Sequence, residues 1–387
     1  SFCVFVFWAG RGRHCWILSA CESIKVRMLK FWKENRTETL ERYERWWRQD
    51  DLILGMFGTG FPAGEPIHGD VPDPGPPADV FSRHMDPEWV AAHREFELSR
   101  KRYPGDLLPI AQTDIGTVSL ATFLGAEPDF TDVNVWYNKS DLSPANDREL
   151  RLDTDQIWWR RLYQVQRATA ERSKGRFFCG LPAIAPNLDV LAELRGFENL
   201  LMDLIEEPDW VKEKLDEINA CHFDAFDRMY EVSKEPDGSS VYYWFMIWGS
   251  GKVSQAQCDV AAMISPDMFA EFVVPPLAEQ CRWLDHCLYH VDGPDAVASV
   301  DALLEIDELQ AVEFTPGPQV PQGGDPYWYD FYKRILDAGK SVQIAEVEGR
   351  EVIPLLDAIG GKGVYILGNY KDQAEYEALL ESVEPYR

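Results

Sequence analysis

The segment Tyr289-His290-Val291-Asp292-Gly293 places an imidazole and a carboxylate two residues apart at the end of an apolar run. Side chains two apart on a strand share a face, so His290 and Asp292 could converge on one metal ion or one substrate. Glu313 and Glu346 close two later apolar runs and could supply further oxygen ligands. One imidazole among carboxylates suits Zn2+ or a harder ion such as Mn2+. Without a metal, His290 and Asp292 make a general acid/base with its orienting carboxylate. The plainest alternative is a core histidine bonded to a neighbour.

Gln112-Thr113-Asp114-Ile115-Gly116 ends another apolar run. Asp114 there can exchange a proton or bind a cationic group, and Gly116 lets backbone approach a ligand; an N-cap role for the next helix is equally open. Cys258-Asp259 could reach the same end of the molecule, Cys258 as a thiolate ligand or as buried filler. Gln112, Trp136, Tyr243, Trp248, Trp328 and Asn369 are the candidate substrate-binding residues. Rings beside acids can cage an organic cation or stack on a flat ligand, with core packing as the alternative. The pairs Trp46-Trp47 and Trp158-Trp159 read as packing residues. No G-x-x-x-x-G-K-[ST], H-E-x-x-H or G-x-S-x-G occurs, and Lys252 in Gly-Ser-Gly-Lys-Val lacks the upstream glycine of a phosphate loop.

Elements must bring these residues together. Short apolar runs at 52–57, 107–114, 177–181, 241–248, 287–292, 310–314, 342–347 and 364–367 read as eight strands. Amphipathic stretches separate them, at 87–103, 153–174, 208–234, 266–286, 295–306, 327–338 and 351–359. Pro275-Pro276 should kink the fourth of these helices. Repeated βα units predict an α/β protein, a single (β/α)8 TIM-type barrel whose reactive groups sit where strands end. A doubly wound sheet is the rival, but no G-x-G-x-x-G follows the first strand. The Pro-rich stretch 61–77 is a long loop, either a lid or a surface excursion.

Composition narrows the partners. The 387 residues include 65 Asp+Glu against 38 Lys+Arg, a net charge of −27. That excludes nucleic acid, which needs a basic field, and opposes anionic membranes and polyanionic ligands unless a local Arg cluster reverses the field. A hydrophobic content of 45% with 14 Trp is enough for a large core. Cys3, Cys15, Cys21, Cys179, Cys221, Cys258, Cys281 and Cys287 form no CxxC pair and read as reduced thiols of a cytoplasmic protein. No run approaches the roughly 18 apolar residues of a membrane span. Residues 1–27, with Arg11, Arg13, Lys25 and Arg27 against Glu22, differ in texture from the chain after Met28. They read as an irregular extension, non-native or a partner-binding arm, ahead of a barrel at 28–387.

The stretch 263–276 (MISPDMFAEFVVPP) resembles the S-P-x-x-F-x-E-F-x-x-P helix of the uroporphyrinogen decarboxylase superfamily, followed at the expected distance by YHVDG (289–293) and EFTPG (313–317). The superfamily also holds cobalamin-dependent methyltransferases and is built on a (β/α)8 barrel. The likeness covers about residues 30–380, is strongest over 257–370, and looks closest to a branch carrying GGDPYWYDFYKRILDAGKSVQI (323–344). By resemblance, Asp114 matches the decarboxylase's catalytic Asp, and His290 matches the zinc-binding His of the methyltransferases. The departures matter as much. The Arg-rich loop that grips porphyrinogen carboxylates is replaced by GMFGTGF (55–61), and Asn369 stands where the decarboxylase has a His. Asp292 replaces the methyltransferases' zinc-binding Cys, and their distal Cys is missing.

The expectation is a small-molecule enzyme at the barrel mouth, a methyltransferase or corrinoid-linked demethylase. A zinc or other divalent ion at His290, Asp292 and Glu313 or Glu346 would assist it, with Asp114 orienting substrate or moving a proton. Its associations would be a neutral or cationic substrate, a corrinoid-bearing partner protein and a second copy in a homodimer. The alternatives are a metal-free decarboxylase or lyase using Asp114 and His290, or a non-catalytic ligand-binding barrel.

Overall fold

The computed structural model describes residues 30–387, so the expected extension at 1–27, with Cys3, Cys15 and Cys21, lies outside the described residues. Six strands form one wholly parallel sheet in the spatial order Ile53–Met56, Val364–Asn369, Ser341–Glu348, Ala311–Thr315, His286–Asp292, Val253–Gln257. They are buried along most of their length, including the polar residues of Val253–Gln257, as strands covered on both faces are. In the last third strand and helix alternate as the sequence predicts, with helices Tyr329–Asp337, Val352–Ile359 and Gln373–Val383 between and after the strands. The chain is an α/β protein. The expected kink is present too: the 266–286 stretch splits into Pro266–Phe272 and Val274–Trp283 at the Pro275-Pro276 pair.

The earlier strands are shorter than their apolar runs. Ile110–Ala111 pairs in parallel with Phe178–Cys179, and Leu181 bridges Tyr242 in parallel. Pro109 and Pro182 carry no N–H and cut these ladders short. Gly180 is required here, because a Cβ would lie 2.7 Å from the Ala111 carbonyl oxygen that its own N–H bonds at 2.9 Å.

The run 241–248 is not one strand. Ser240–Tyr242 turns through 243–246 and returns as the antiparallel Ile247–Gly249, and Val253–Gln257, absent from the predicted set, supplies the strand beside His286–Asp292. VYYWFMIW has no Gly or Pro to mark a reversal, so its pattern could not reveal one. Contacts from distant elements impose it. The Met246 carbonyl accepts the Tyr43 hydroxyl at 2.8 Å and the Tyr365 hydroxyl at 3.0 Å. The Phe245 carbonyl accepts Gln343 Nε2 at 2.8 Å, and the Trp248 carbonyl accepts Trp47 Nε1 at 2.9 Å.

The Pro-rich stretch 61–77 is fastened down. Phe61–Pro62 pairs with Lys101–Arg102, Trp89 Nε1 donates to the Gly75 carbonyl at 3.0 Å, and His68 stacks on Trp32 and Tyr103 at 5.3 and 5.7 Å. These contacts favour the surface excursion over the lid. Among the described residues no helix is long and apolar enough to cross a membrane.

Between Ile53–Met56 and the 106–111 run, side chains make the joint. The wholly buried Asp106 carboxylate accepts the Leu54 N–H at 3.0 Å and Arg387 at 2.8 Å, and pairs with Arg42. The Tyr376 hydroxyl adds a bond to the Leu54 carbonyl at 2.6 Å. Removing one partner of a buried ion pair strands the others. Asp106→Ala is therefore expected to lower unfolding free energy by about 3 kcal/mol in urea titration. Arg387→Ala should cost less, because Arg42 still faces the carboxylate.

Candidate functional site

Adjacent strand ends bring three side chains together. In register, Gln257 lies beside His290 and His290 beside Glu313, so Asp259 leaves its strand at the level where His290 and Asp292 end theirs. One ligand atom each from Asp259, His290 and Asp292 lie within 4.8 Å of one another. His290 and Asp292 share a strand face as expected, but the third member is Asp259, not Glu313 or Glu346.

Both glutamates are engaged elsewhere. Glu313, wholly buried, takes His290 Nδ1 in a hydrogen bond and accepts the Thr315 hydroxyl at 2.7 Å. That fixes the ring and leaves Nε2 free to ligate, the usual division of labour behind a metal-binding histidine. Glu346 sits at a bulge between Ala345 and Val347 with φ +56 and accepts Asn369 Nδ2 at 2.8 Å. The chain packs tightly there, since a Cβ on Gly323 would lie 1.9 Å from the Ala345 carbonyl oxygen. The bulge turns Glu346 toward Asn369, a pairing that period-two reading cannot foresee.

Asp189 stands outside the expected set. It lies on Leu188–Arg195, is almost fully buried, and accepts the backbone N–H groups of Asp259 at 3.0 Å and Val260 at 3.1 Å. Gln257 Nε2 reaches both Asp189 and Asp259 at 3.3 Å. The signal that could have found it is a carboxylate inside an otherwise apolar stretch, LDVLA (188–192).

Charge in this group is lopsided. Burial alone would lower the His290 pKa, but the Glu313 carboxylate, then Asp259 and Asp292, outweigh it and hold the imidazole at about 9. Asp259 is pushed upward by lost hydration and then by the Asp189 carboxylate. Cys258 is buried and its thiol is raised well above its ordinary value, first by burial, which speaks against a thiolate ligand.

Asp114 occupies a separate cavity of about 240 Å3 whose walls include Arg94, Trp89, Trp244 and Gln112. Its carboxylate accepts Trp244 Nε1 at 2.9 Å and Gln112 Nε2 at 3.1 Å, and Arg94 holds Gln112 Oε1 at 3.1 Å. Phe245, the next residue after Trp244, lies against His290 with ring centroids 4.8 Å apart. Asp114 and His290 thus each contact one of two consecutive residues, Trp244 and Phe245.

The aromatic candidates divide. Trp136 is 63% exposed on the Val135–Asn138 strand, and Tyr243 is half-buried at the turn. Trp248 is buried on the returning strand, and Trp328 packs on Phe314 at 4.6 Å with its Nε1 bonded to the Pro321 carbonyl. Both are buried among other side chains, and Trp248 Nε1 finds no hydrogen-bond partner among the described residues. No family model matches the chain, and no curated protein matches it.

Burial raises the Asp114 pKa from 3.8 to about 6, against the opposing pull of Arg94, Trp244 and Gln112. The folded state thus holds this proton more tightly than the unfolded one. Stability tied to Asp114 is complete below pH 4 and is lost as pH rises toward 6, about 3 kcal/mol. Asp114→Asn should remove that dependence, narrowing the melting-temperature difference between pH 4.5 and pH 7.5.

Proposed function

We propose that the chain is a small-molecule enzyme on a (β/α)8 barrel of the uroporphyrinogen decarboxylase type, with Asp259, His290 and Asp292 holding a divalent metal ion. The barrel reading is supported by the seams beyond the six-stranded sheet. The 110–111 and 178–179 ladder, the Leu181–Tyr242 bridge and the Asp106 joint to Ile53–Met56 carry the succession of strand segments beyond that sheet. The observation that carries the metal is the convergence of two carboxylates on an imidazole whose other nitrogen is already held by buried Glu313.

A His with two carboxylates fits Zn2+ or a harder ion such as Mn2+. When bound, that ion would act as a Lewis acid on a substrate heteroatom. The chain's own groups would do the rest. Glu313 orients His290, Asp189 and Gln257 orient Asp259, Asp114 moves a proton in its own cavity, and Trp244 and Phe245 exclude water. The reaction we propose, methyl transfer or corrinoid-linked demethylation with a corrinoid protein as partner, rests on the motif resemblance and not on the geometry.

Metal analysis of purified protein, followed by Zn2+ and Mn2+ titration, tests the reading. One equivalent is expected, with affinity falling at least tenfold in His290→Ala and Asp259→Ala, and about 10–100-fold in Glu313→Gln. Absence of bound metal in the wild type under both titrations would sink it.

A second reading has one observation in its favour: Asp114, raised to about 6, stands in a cavity of its own with no dependence on the metal group. A metal-free decarboxylase or lyase using Asp114 and His290 would turn over unchanged in the presence of chelators.

A further inference from the structure

We propose that a cavity on the helix layer, between Ile157–Ser173 and Pro208–Ser233, binds a phosphate group independently of the strand-end site. It measures about 310 Å3, and Arg160, Arg167 and Arg228 line it together with Trp159 and Tyr163. Arg160, Tyr163, Gln164 and Arg167 recur at the spacing of one helix face, and Arg228 reaches the cavity from the second helix. No Asp or Glu lines it.

This concentration of cation runs against the whole chain, which carries −27. With carboxylates so abundant, surface arginines should find partners easily. Among the described residues neither Arg160 nor Arg167 forms an ion pair, and Arg228 engages Asp224 through Nε alone, at 2.8 Å. The remaining guanidinium donors surround one concave volume. Three arginines around one hollow are the kind of local cluster that reverses an acidic field.

The chemistry favours phosphate over a carboxylate. A tetrahedral dianion offers enough acceptor oxygens for guanidinium forks arriving from two helices, whereas a planar carboxylate satisfies one fork. The helix pair is rigidly joined, because buried Gln166 donates to the Met229 carbonyl at 3.1 Å and the Ser233 hydroxyl at 3.0 Å. The arginines are therefore presented on a preorganised frame. Half-buried Tyr163, stacked at 5.5 Å on buried Trp159, lines the cavity and gives the organic part of a phosphomonoester a ring to rest on. Val165, on the same helix, lines the Asp114 cavity, so one helix serves both sites.

Free orthophosphate and a phosphomonoester share this chemistry, and the test separates them. The intact chain is titrated with potassium phosphate and, in parallel, with ribose 5-phosphate, at ionic strength held constant with KCl, and followed by thermal shift. A saturable rise in Tm is expected, with binding at least tenfold weaker in Arg160→Gln/Arg167→Gln. Tighter binding of the ester assigns the site to phosphomonoesters; equal binding assigns it to orthophosphate. Arg160→Lys/Arg167→Lys keeps the charge without the fork and covers the case in which the Gln variant fails to fold; several-fold weakening is expected. A Tm rise no greater than the KCl control, or one unchanged in the folded variants, would overturn the proposal.

Discussion

The candidate chemistry depends on one turn. At 243–246 the backbone reverses, and Met246 takes φ +50, a left-handed conformation that costs a residue bearing Cβ about 1–2 kcal/mol. The Tyr43 and Tyr365 hydroxyls on the Met246 carbonyl, with Gln343 on the Phe245 carbonyl, offset it at about 1 kcal/mol each. These donors come from a helix and two sheet strands far apart in sequence. The turn can only take this form once the sheet is assembled. It then sends Trp244 to the Asp114 carboxylate and Phe245 to the His290 ring, so the two titrating groups are positioned by consecutive residues.

Around His290 the organising force is unbalanced negative charge. Glu313, Asp259 and Asp292 face one imidazole, and Asp189 stands behind Asp259. Like charges this close disfavour one another unless a cation shares them. The imidazolium meets part of that demand, and a divalent ion would meet more of it. Buried Glu313 keeps the ring aimed in either case, so the orientation of His290 does not depend on what fills the space in front of it.

How much the sequence makes legible depends on the physical range of each signal. The last third, where apolar runs and amphipathic stretches alternate locally, reads nearly strand for strand. His290 and Asp292 are legible because period-two geometry is local. Asp259 is only half legible, since the sequence brings it to the right end of the molecule but not beside His290. Asp189 is not legible, because its role arises from a helix reaching across to backbone N–H groups. Glu313 stands out in the sequence, but its pairing with His290 depends on strand neighbours that sequence spacing does not encode. The turn at 243–246 and the bulge at Glu346 are invisible for a related reason. Tyrosine hydroxyls and a glycine contact from other elements impose both, and neither carries a turn residue of its own.

The two raised pKa values have opposite origins, and this decides which proton is available. Asp114 is raised by burial against the pull of the Arg94 cation and the Trp244 and Gln112 donors, so near neutral pH it is mostly ionised and able to accept a proton. His290 is raised by anions, so at the same pH it is mostly protonated and able to donate one. In the metal-free reading proposed above, Asp114 would serve as base and His290 as acid. A metal at His290 requires the neutral ring, so binding removes the acid and leaves Asp114 as the proton-handling group of the pair. The space between Asp259, His290 and Asp292 is thus where the two proposed readings differ.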